Sequence, residues 1–269
     1  MKKATPSEYE ERQLERLRVW QAEAPGWLTR RMGQASGPVT RLAQSLVPVG
    51  ALRLALNGAN NLALRLTHKE EILRAAGAAD LGELQLADLE RCDAIGQRVR
   101  RQAVGLSAIG GAVTGVAGAP GLILDVPALL TLSLHTIHRS GLCYGYDSLA
   151  ETERPYAIGV FALASANTME EKMAALAALR QHDGTETAAI RDGMERAAQR
   201  EFSKGAAIFS LQNLARQLGT NLARRKVASA VPIVGALVGG AVNAWYLHDL
   251  AQTARYAFHA RRFGARGVL

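Results

Sequence analysis

The stretch AVGLSAIGGAVTGVAGAPGLILDVPALLTLSLHTIHRSGLCYGYD, residues 103–147, decides the fold of this chain. It is rich in glycine and carries no charged residue before Asp125. The leucines between 129 and 134 make the segment after Pro127 apolar on nearly every side, and a helix of that kind is buried in protein or in lipid. The stretch therefore predicts a buried helical centre with the rest of the chain arranged around it.

Three short motifs follow one another in this stretch: APGL at 119–122, DVPALLTLSLHTI at 125–137 and CYGYD at 143–147. In these motifs the chain resembles the EcsC family, a group of bacterial proteins whose prototype is encoded beside an ABC transporter. The resemblance runs from Tyr9 to about Phe263. It implies a link to ABC transporter function, but the family has no agreed activity and so implies no reaction, cofactor or catalytic residue.

A second glycine-rich segment, residues 227–263, begins with an uncharged run from 227 to 247. That run is on the order of the ~20 residues needed to cross a hydrocarbon core. Basic residues precede it and aromatic residues end it, which is the framing of a segment that contacts a membrane. The predicted membrane or lipid contacts are Arg224, Arg225, Lys226, Trp245 and Tyr246. Many alanines and glycines and a mean hydropathy of -0.01 for the whole chain favour burial of this run in protein over insertion into lipid.

Both glycine-rich segments contain a GxxxG motif, formed by Gly111 with Gly115 and by Gly235 with Gly239. Small residues at this spacing let helix backbones approach closely. We therefore predict that these four glycines lie at helix contacts, where a leucine would overpack the interface.

Helical patterns extend outward from these segments, and no block of alternating apolar and polar residues indicates a strand. Residues 1–25 form an amphipathic N-terminal arm that starts with Pro6 in its first turn. Thr67, three residues before Glu70, predicts a capping box, and Gly77 and Gly145 are placed as helix C-caps. Residues 84–101 form an amphipathic helix that either ends at its arginines or continues into the glycine-rich stretch. The prediction is an all-α protein with a single helical domain over residues 1–269.

Composition limits the class of protein. Thirty-two basic and twenty-four acidic residues give a net charge of +8, which favours anionic partners such as an acidic membrane surface. The basic residues are spread along the chain without clustered aromatics, so no nucleic-acid groove is predicted. The two cysteines form no CxxC pair, and the N-terminus has no apolar signal region, so a cytoplasmic location is expected.

Candidate chemistry is sparse. His135 and His138 share a helical face, and Cys143 follows a turn or so later, so these three are candidate metal ligands without the spacing of a recognised zinc motif. Asp125 stands between two apolar runs, where a carboxylate must be capped, paired or functional, and Pro127 beside it favours a helix N-cap. No nucleophile elbow, phosphate loop or dinucleotide fingerprint occurs, so no cofactor is predicted.

These observations favour a non-enzymatic protein, cytoplasmic or peripheral at the inner face of the cell membrane, that binds a lipid, a bilayer surface or a membrane protein such as a transporter. Two alternatives stay open. One is a soluble hydrolase centred on Asp125, His135 and His138. The other is an integral membrane protein with a helical hairpin.

Overall fold

The computed structural model describes residues 6–25, 49–116, 118–166, 168–192 and 232–269. Within these ranges the chain is all helical and has no strand, which confirms the predicted class. The helices are α1 (Glu8–Ala22), α2 (Val49–Leu66), α3 (Lys69–Ala76), α4 (Leu81–Leu86), α5 (Leu89–Val116), α6 (Gly118–Cys143), α7 (Arg154–Ala164), α8 (Met169–Asp192) and α9 (Pro232–Ala265), with a 3-10 turn at Glu151–Glu153.

The centre of the fold is the pair formed by α5 and α9, which share the most extensive helix contact. Arg100 of α5 donates a hydrogen bond to Gln252 of α9 at 2.6 Å. Earlier in α5, Asp93 accepts hydrogen bonds from Arg255 and from His259, which come later in α9. The partners advance along α5 as they recede along α9, so the two helices run antiparallel.

Helix α6 completes the centre by packing against α2, α5 and α9. Its buried residues include Leu130, Leu134 and Ile137 and belong to one hydrophobic cluster shared with α1, α2, α3, α4, α5, α7, α8 and α9. The leucine-rich run was predicted to be buried, and these positions confirm it. The side chains of residues 111–126 are not among those that the structure describes.

Helix α1 is the amphipathic arm, and it docks on the body through Leu14 and Leu17, which are buried. Ser7 is its N-cap and forms a capping box with Glu10, so the helix begins two residues later than Pro6 predicted. At the other end Lys172 of α8 donates hydrogen bonds to the carbonyls of Trp20 and Glu23, the latter at 2.7 Å. An ammonium therefore satisfies carbonyls that the helix leaves without intrahelical partners.

Two predicted helix ends are confirmed. Gly77 follows α3 with a φ of 64°, and Gly145 follows α6 with a φ of 82°. After α6 the amide of Tyr146 donates to the carbonyl of Gly141 at 3.0 Å, which closes the C-terminus in the manner of a Schellman motif.

Two predicted N-caps were wrong. The backbone of α6 is helical from Gly118 through Pro127, so Asp125 lies inside the helix and does not begin it. Thr67 does not cap α3, which starts after His68 without a side-chain cap. The hydroxyl of Thr67 instead donates to the carbonyl of Ala63 at 2.8 Å, because a threonine at a helix end can bond backward as well as forward.

The amphipathic segment predicted for residues 84–101 is divided between α4 and α5, and α5 then continues into the glycine-rich stretch to Val116. At the break between the two helices, the buried guanidinium of Arg262 donates hydrogen bonds to the carbonyls of Leu84 and Ala87. These bonds stabilise the turn between α4 and α5. The antiparallel register of α5 and α9 places the backbone around residues 111–115 level with that around residues 237–241. Tight packing at Gly111, Gly115, Gly235 and Gly239 stays a prediction.

Candidate functional site

A buried carboxylate, Asp93 of α5, is the centre of a polar cluster between α1, α5, α6 and α9. Its Oδ1 accepts hydrogen bonds from Tyr144 at 2.6 Å, from His259 Nε2 at 2.7 Å and from Arg255 Nε at 3.1 Å. Its Oδ2 accepts from Tyr9 at 2.6 Å and from Arg255 Nη2 at 2.7 Å. We call these five residues the Asp93 cluster.

The electrostatics of the cluster keep Asp93 and Arg255 ionised and keep Tyr9, Tyr144 and His259 neutral. Burial alone would raise the pKa of Asp93, but the hydrogen bonds from His259 and Arg255 outweigh it and hold that pKa well below its usual range. Burial and the neighbouring carboxylate raise the pKa of Tyr9 to about 12 and raise that of Tyr144 well above its usual value. Burial lowers the pKa of His259, so its ring is neutral at pH 7 and donates its Nε2 proton to Asp93.

This arrangement leaves Asp93 little capacity for chemistry. A carboxylate offers about four lone-pair sites, and five hydrogen bonds already converge on its two oxygens. A general base must reach the proton it abstracts, whereas every direction around Asp93 is taken by a protein donor. The cluster therefore joins four helices rather than providing a free acid or base.

A cleft of about 420 Å³ opens against the cluster, whose Tyr9, Asp93, Tyr144 and Arg255 form part of its wall, with other lining residues from α1, α5, α6 and α9. Among its lining residues are Arg16 from α1, Glu90, Gln97 and Arg100 from α5, and Arg255 from α9. Arg255 is neutralised by Asp93. We call this space the basic cleft.

Beside the cleft, α5 exposes a face on which basic residues are followed by apolar residues along the helix. Arg98 and Arg101 are exposed and come first. Leu106 and Ile109 follow, with 57% and 66% of their surface exposed. These four residues, which we call the α5 exposed face, recur at steps of three to five along α5 and therefore lie on one side of the helix.

The histidines predicted as weak metal or catalytic candidates are engaged elsewhere. His135 Nδ1 lies 2.9 Å from the hydroxyl of Thr67, and His138 Nε2 lies 3.0 Å from Oδ1 of Asn60. Cys143 is buried and free, and burial raises the pKa of its thiol to about 12. In the described part of the chain no group of three or more metal-ligating side chains comes together.

The other predicted site residues are placed as follows. Arg224, Arg225 and Lys226 lie outside the described residues, and so does the side chain of Asp125. Tyr246 is buried in the core, and Trp245 is partly buried against it. Among the helices searched, those of the described residues, none is both long enough and apolar enough to span a bilayer.

Sequence reasoning missed the Asp93 cluster. One signal was present: Asp93 follows Cys92 directly on the apolar side of a predicted amphipathic helix, where an acid needs a partner. A second was the spacing of Arg255 and His259, which puts two donors on one face of a helix. Neither signal identifies the partner, because these residues are separated by more than 150 positions in the chain.

The fold and the cluster define an all-helical protein with a buried ionic centre beneath a basic cleft. The chain belongs to the EcsC protein family, whose model matches residues 11–263. It is similar to the uncharacterized protein YdbA of Bacillus subtilis (strain 168), with 26% identity over 182 residues. That match covers 68% of this chain and 62% of the relative's length. No solved structure matches the chain.

Proposed function

We propose that this protein is a non-enzymatic peripheral membrane protein that binds an anionic bilayer surface at the cytoplasmic face through the α5 exposed face. The observation that carries the proposal is the order of residues on that face, where exposed arginines are followed by exposed leucine and isoleucine. A bilayer surface presents the complementary order, an anionic headgroup layer above a hydrocarbon interior.

The dimensions support this assignment. Leu106 lies five residues beyond Arg101, which is about 8 Å along a helix. An interfacial helix buries its apolar side chains roughly 5 to 10 Å into the boundary between headgroups and acyl chains. Arg98 and Arg101, on the same side of α5, extend their long side chains back to headgroup level, where each contributes about 1 kcal/mol on an anionic surface.

The hydrolase alternative receives less support from the geometry. The proposed catalytic histidines, His135 and His138, form hydrogen bonds with Thr67 and Asn60 and are not among the residues that line the basic cleft. The acid that does approach a cleft, Asp93, is saturated by five hydrogen bonds.

Vesicle co-sedimentation tests the proposal. We expect the purified protein to bind vesicles that contain phosphatidylglycerol, to ignore neutral phosphatidylcholine vesicles and to be released by high salt, because headgroup attraction is screened over about 10 Å at 0.1 M ionic strength. Leu106→Glu and Ile109→Glu should each weaken binding severalfold or more.

Leu86→Glu is the matched control, because Leu86 is 86% exposed and the substitution adds the same charge. Leu86 precedes α5, and Leu106 lies 17 positions after Leu89, which is about 25 Å along the helix. Parent-like binding by Leu106→Glu and Ile109→Glu would refute the proposal. Binding that resists both salt and carbonate would favour the integral alternative.

A further inference from the structure

We infer that one end of the basic cleft is a binding site for a phosphate group, formed by the guanidinium groups of Arg16 and Arg100 with the amide of Gln97. All three residues line the cleft. The site is inferred from its own lining residues. It rests on the proposed function in one respect only, namely that a lipid supplies the phosphate group.

Arg16 and Arg100 reach the cleft from two helices, α1 and α5, that run in the same direction. Near the start of α1, Glu10 pairs with Arg266 of α9, and near the end of α1, Trp20 stacks on Tyr256 of α9. Helix α1 is therefore antiparallel to α9, as α5 is. Tyr9 is bonded to Asp93 at 2.6 Å, and Arg255 joins Gln13 to the same carboxylate, so α1 and α5 are held together beside the cleft.

Arg16 lies seven residues after Tyr9, and Arg100 lies seven residues after Asp93. Both arginines therefore follow the Tyr9 to Asp93 hydrogen bond in the direction of their helices, and both line the same cleft.

The charges of these two arginines are not balanced by acids. In the described ranges no acidic side chain pairs with Arg16 or Arg100, and the bond that Arg100 makes is to the neutral amide of Gln252. Glu90, the other acid of the cleft, precedes Arg100 by ten residues and so stands about 15 Å away along α5. The end of the cleft at Arg100, which we call the cationic end, is thus remote from Glu90 along α5.

A phosphate group fits the cationic end by chemistry and by size. Arginine binds phosphate oxygens through two parallel N–H donors, and such charge-assisted bonds are roughly twice as strong as neutral ones. Two like charges at one end of a cleft repel each other, and an anion between them removes that repulsion. The volume of about 420 Å³ suits a small phosphate ester, such as glycerol phosphate or a lipid headgroup.

Two probes distinguish the sources of the phosphate. The soluble arm titrates the protein with glycerol 3-phosphate by isothermal titration calorimetry. The membrane arm measures binding to phosphatidylglycerol vesicles in phosphatidylcholine. The test variant is Arg16→Gln with Arg100→Gln, and the control is Arg65→Gln with Arg74→Gln, which removes the same charge from exposed positions on α2 and α3.

We expect the test variant to bind at least about tenfold more weakly than the control in whichever arm the parent binds. Loss in the soluble arm identifies a small phosphate ester as the ligand, and loss in the membrane arm alone identifies a lipid headgroup. Equal affinity of test and control variants in both arms, or no binding of the parent in either arm, overturns the inference. If only the Leu106→Glu and Ile109→Glu test fails, the bilayer contact is refuted, but the site for a soluble phosphate ester is not.

Discussion

At the scale of single residues, Asp93 shows how a buried charge is tolerated. An ionised carboxylate removed from water costs several kcal/mol unless charge and hydrogen bonds compensate it. Here Arg255 supplies the opposite charge through two hydrogen bonds, and Tyr9, Tyr144 and His259 donate three more. The compensation depends on every member, because the loss of one leaves another without its partner.

The first prediction concerns Asp93→Asn, which keeps the shape of the side chain but removes its charge and turns one oxygen into a donor. We expect a loss of ~3 to 5 kcal/mol in the free energy of unfolding, because Arg255 would be left buried without its counter-ion. Urea denaturation at pH 7 measures it.

Glu90→Gln, three residues earlier on the exposed side of α5, is the control and should change stability by less than ~0.5 kcal/mol. Adding Arg255→Gln to Asp93→Asn should recover part of the loss, since the unpaired charge is then removed. Similar stability of Asp93→Asn and Glu90→Gln would show that the cluster does not stabilise the fold.

At the scale of helices, two glycines end helices with the same backbone geometry but different surroundings. Gly77 after α3 and Gly145 after α6 both have positive φ, at 64° and 82°. A Cβ at Gly77 would meet no atom within 4 Å. A Cβ at Gly145 would lie 2.5 Å from the backbone nitrogen of Gln85 and 2.6 Å from the carbonyl oxygen of Leu81. Gly145 is therefore required by packing as well as by conformation.

The second prediction compares alanine at these two positions. Gly77→Ala should cost ~1 to 2 kcal/mol, the penalty of a left-handed backbone with a Cβ. Gly145→Ala should cost ~1 to 3 kcal/mol more than Gly77→Ala, because α4 must shift to admit the methyl group. Thermal melts of both variants against the parent measure the difference. Equal costs would mean that α4 does not pack against Gly145 as described.

At the scale of the whole molecule, burial of histidines makes the fold sensitive to acid. Burial lowers the pKa of His138 to about 4, with smaller contributions from the nearby charges of His135 and Arg154. The pKa values of His135 and His259 are also lowered by burial. Each of these rings is neutral in the folded chain, whereas the unfolded chain protonates them near pH 6.5.

The third prediction is a loss of stability as the pH falls. A histidine whose folded pKa is lowered contributes stability that is complete above pH 6.5 and disappears as the pH falls toward the folded value. For His138 the difference amounts to about 3 kcal/mol between pH 7 and pH 4. Denaturation midpoints measured across this range should fall with pH, and those of His138→Gln should fall less steeply.

His68→Gln serves as the control, because His68 is exposed, and its pH profile should follow that of the parent. An identical slope for His138→Gln and the parent would contradict burial of a neutral ring at this position. The lowered pKa of Asp93 adds a further loss below about pH 4, since a paired carboxylate stabilises the fold only while it is ionised.

Much of the fold was readable from the sequence because helix formation is a local matter. The apolar run from Leu129 to Leu134, the arm of residues 1–25 and the glycines at 77 and 145 all act within a few positions of their own place in the chain. The predictions at Asp125 and Thr67 were wrong because such side chains are compatible with a helix N-cap and also with other positions in or beside a helix. The local sequence does not decide between these positions.

The Asp93 cluster and the basic cleft were decided only by the tertiary structure. Tyr9, Asp93 and Arg255 stand on three different helices, Tyr144 directly follows a fourth, and no periodicity links them. The antiparallel register of α5 and α9 and the docking of α1 bring the buried charge to its partners and place Arg16 and Arg100 on the walls of one cleft. The sequence by itself determined which segments are helical and which faces are apolar, because those depend on spacing along one helix. Which charges face one another depends on how the helices pack, and packing is settled by side-chain fit across the whole core.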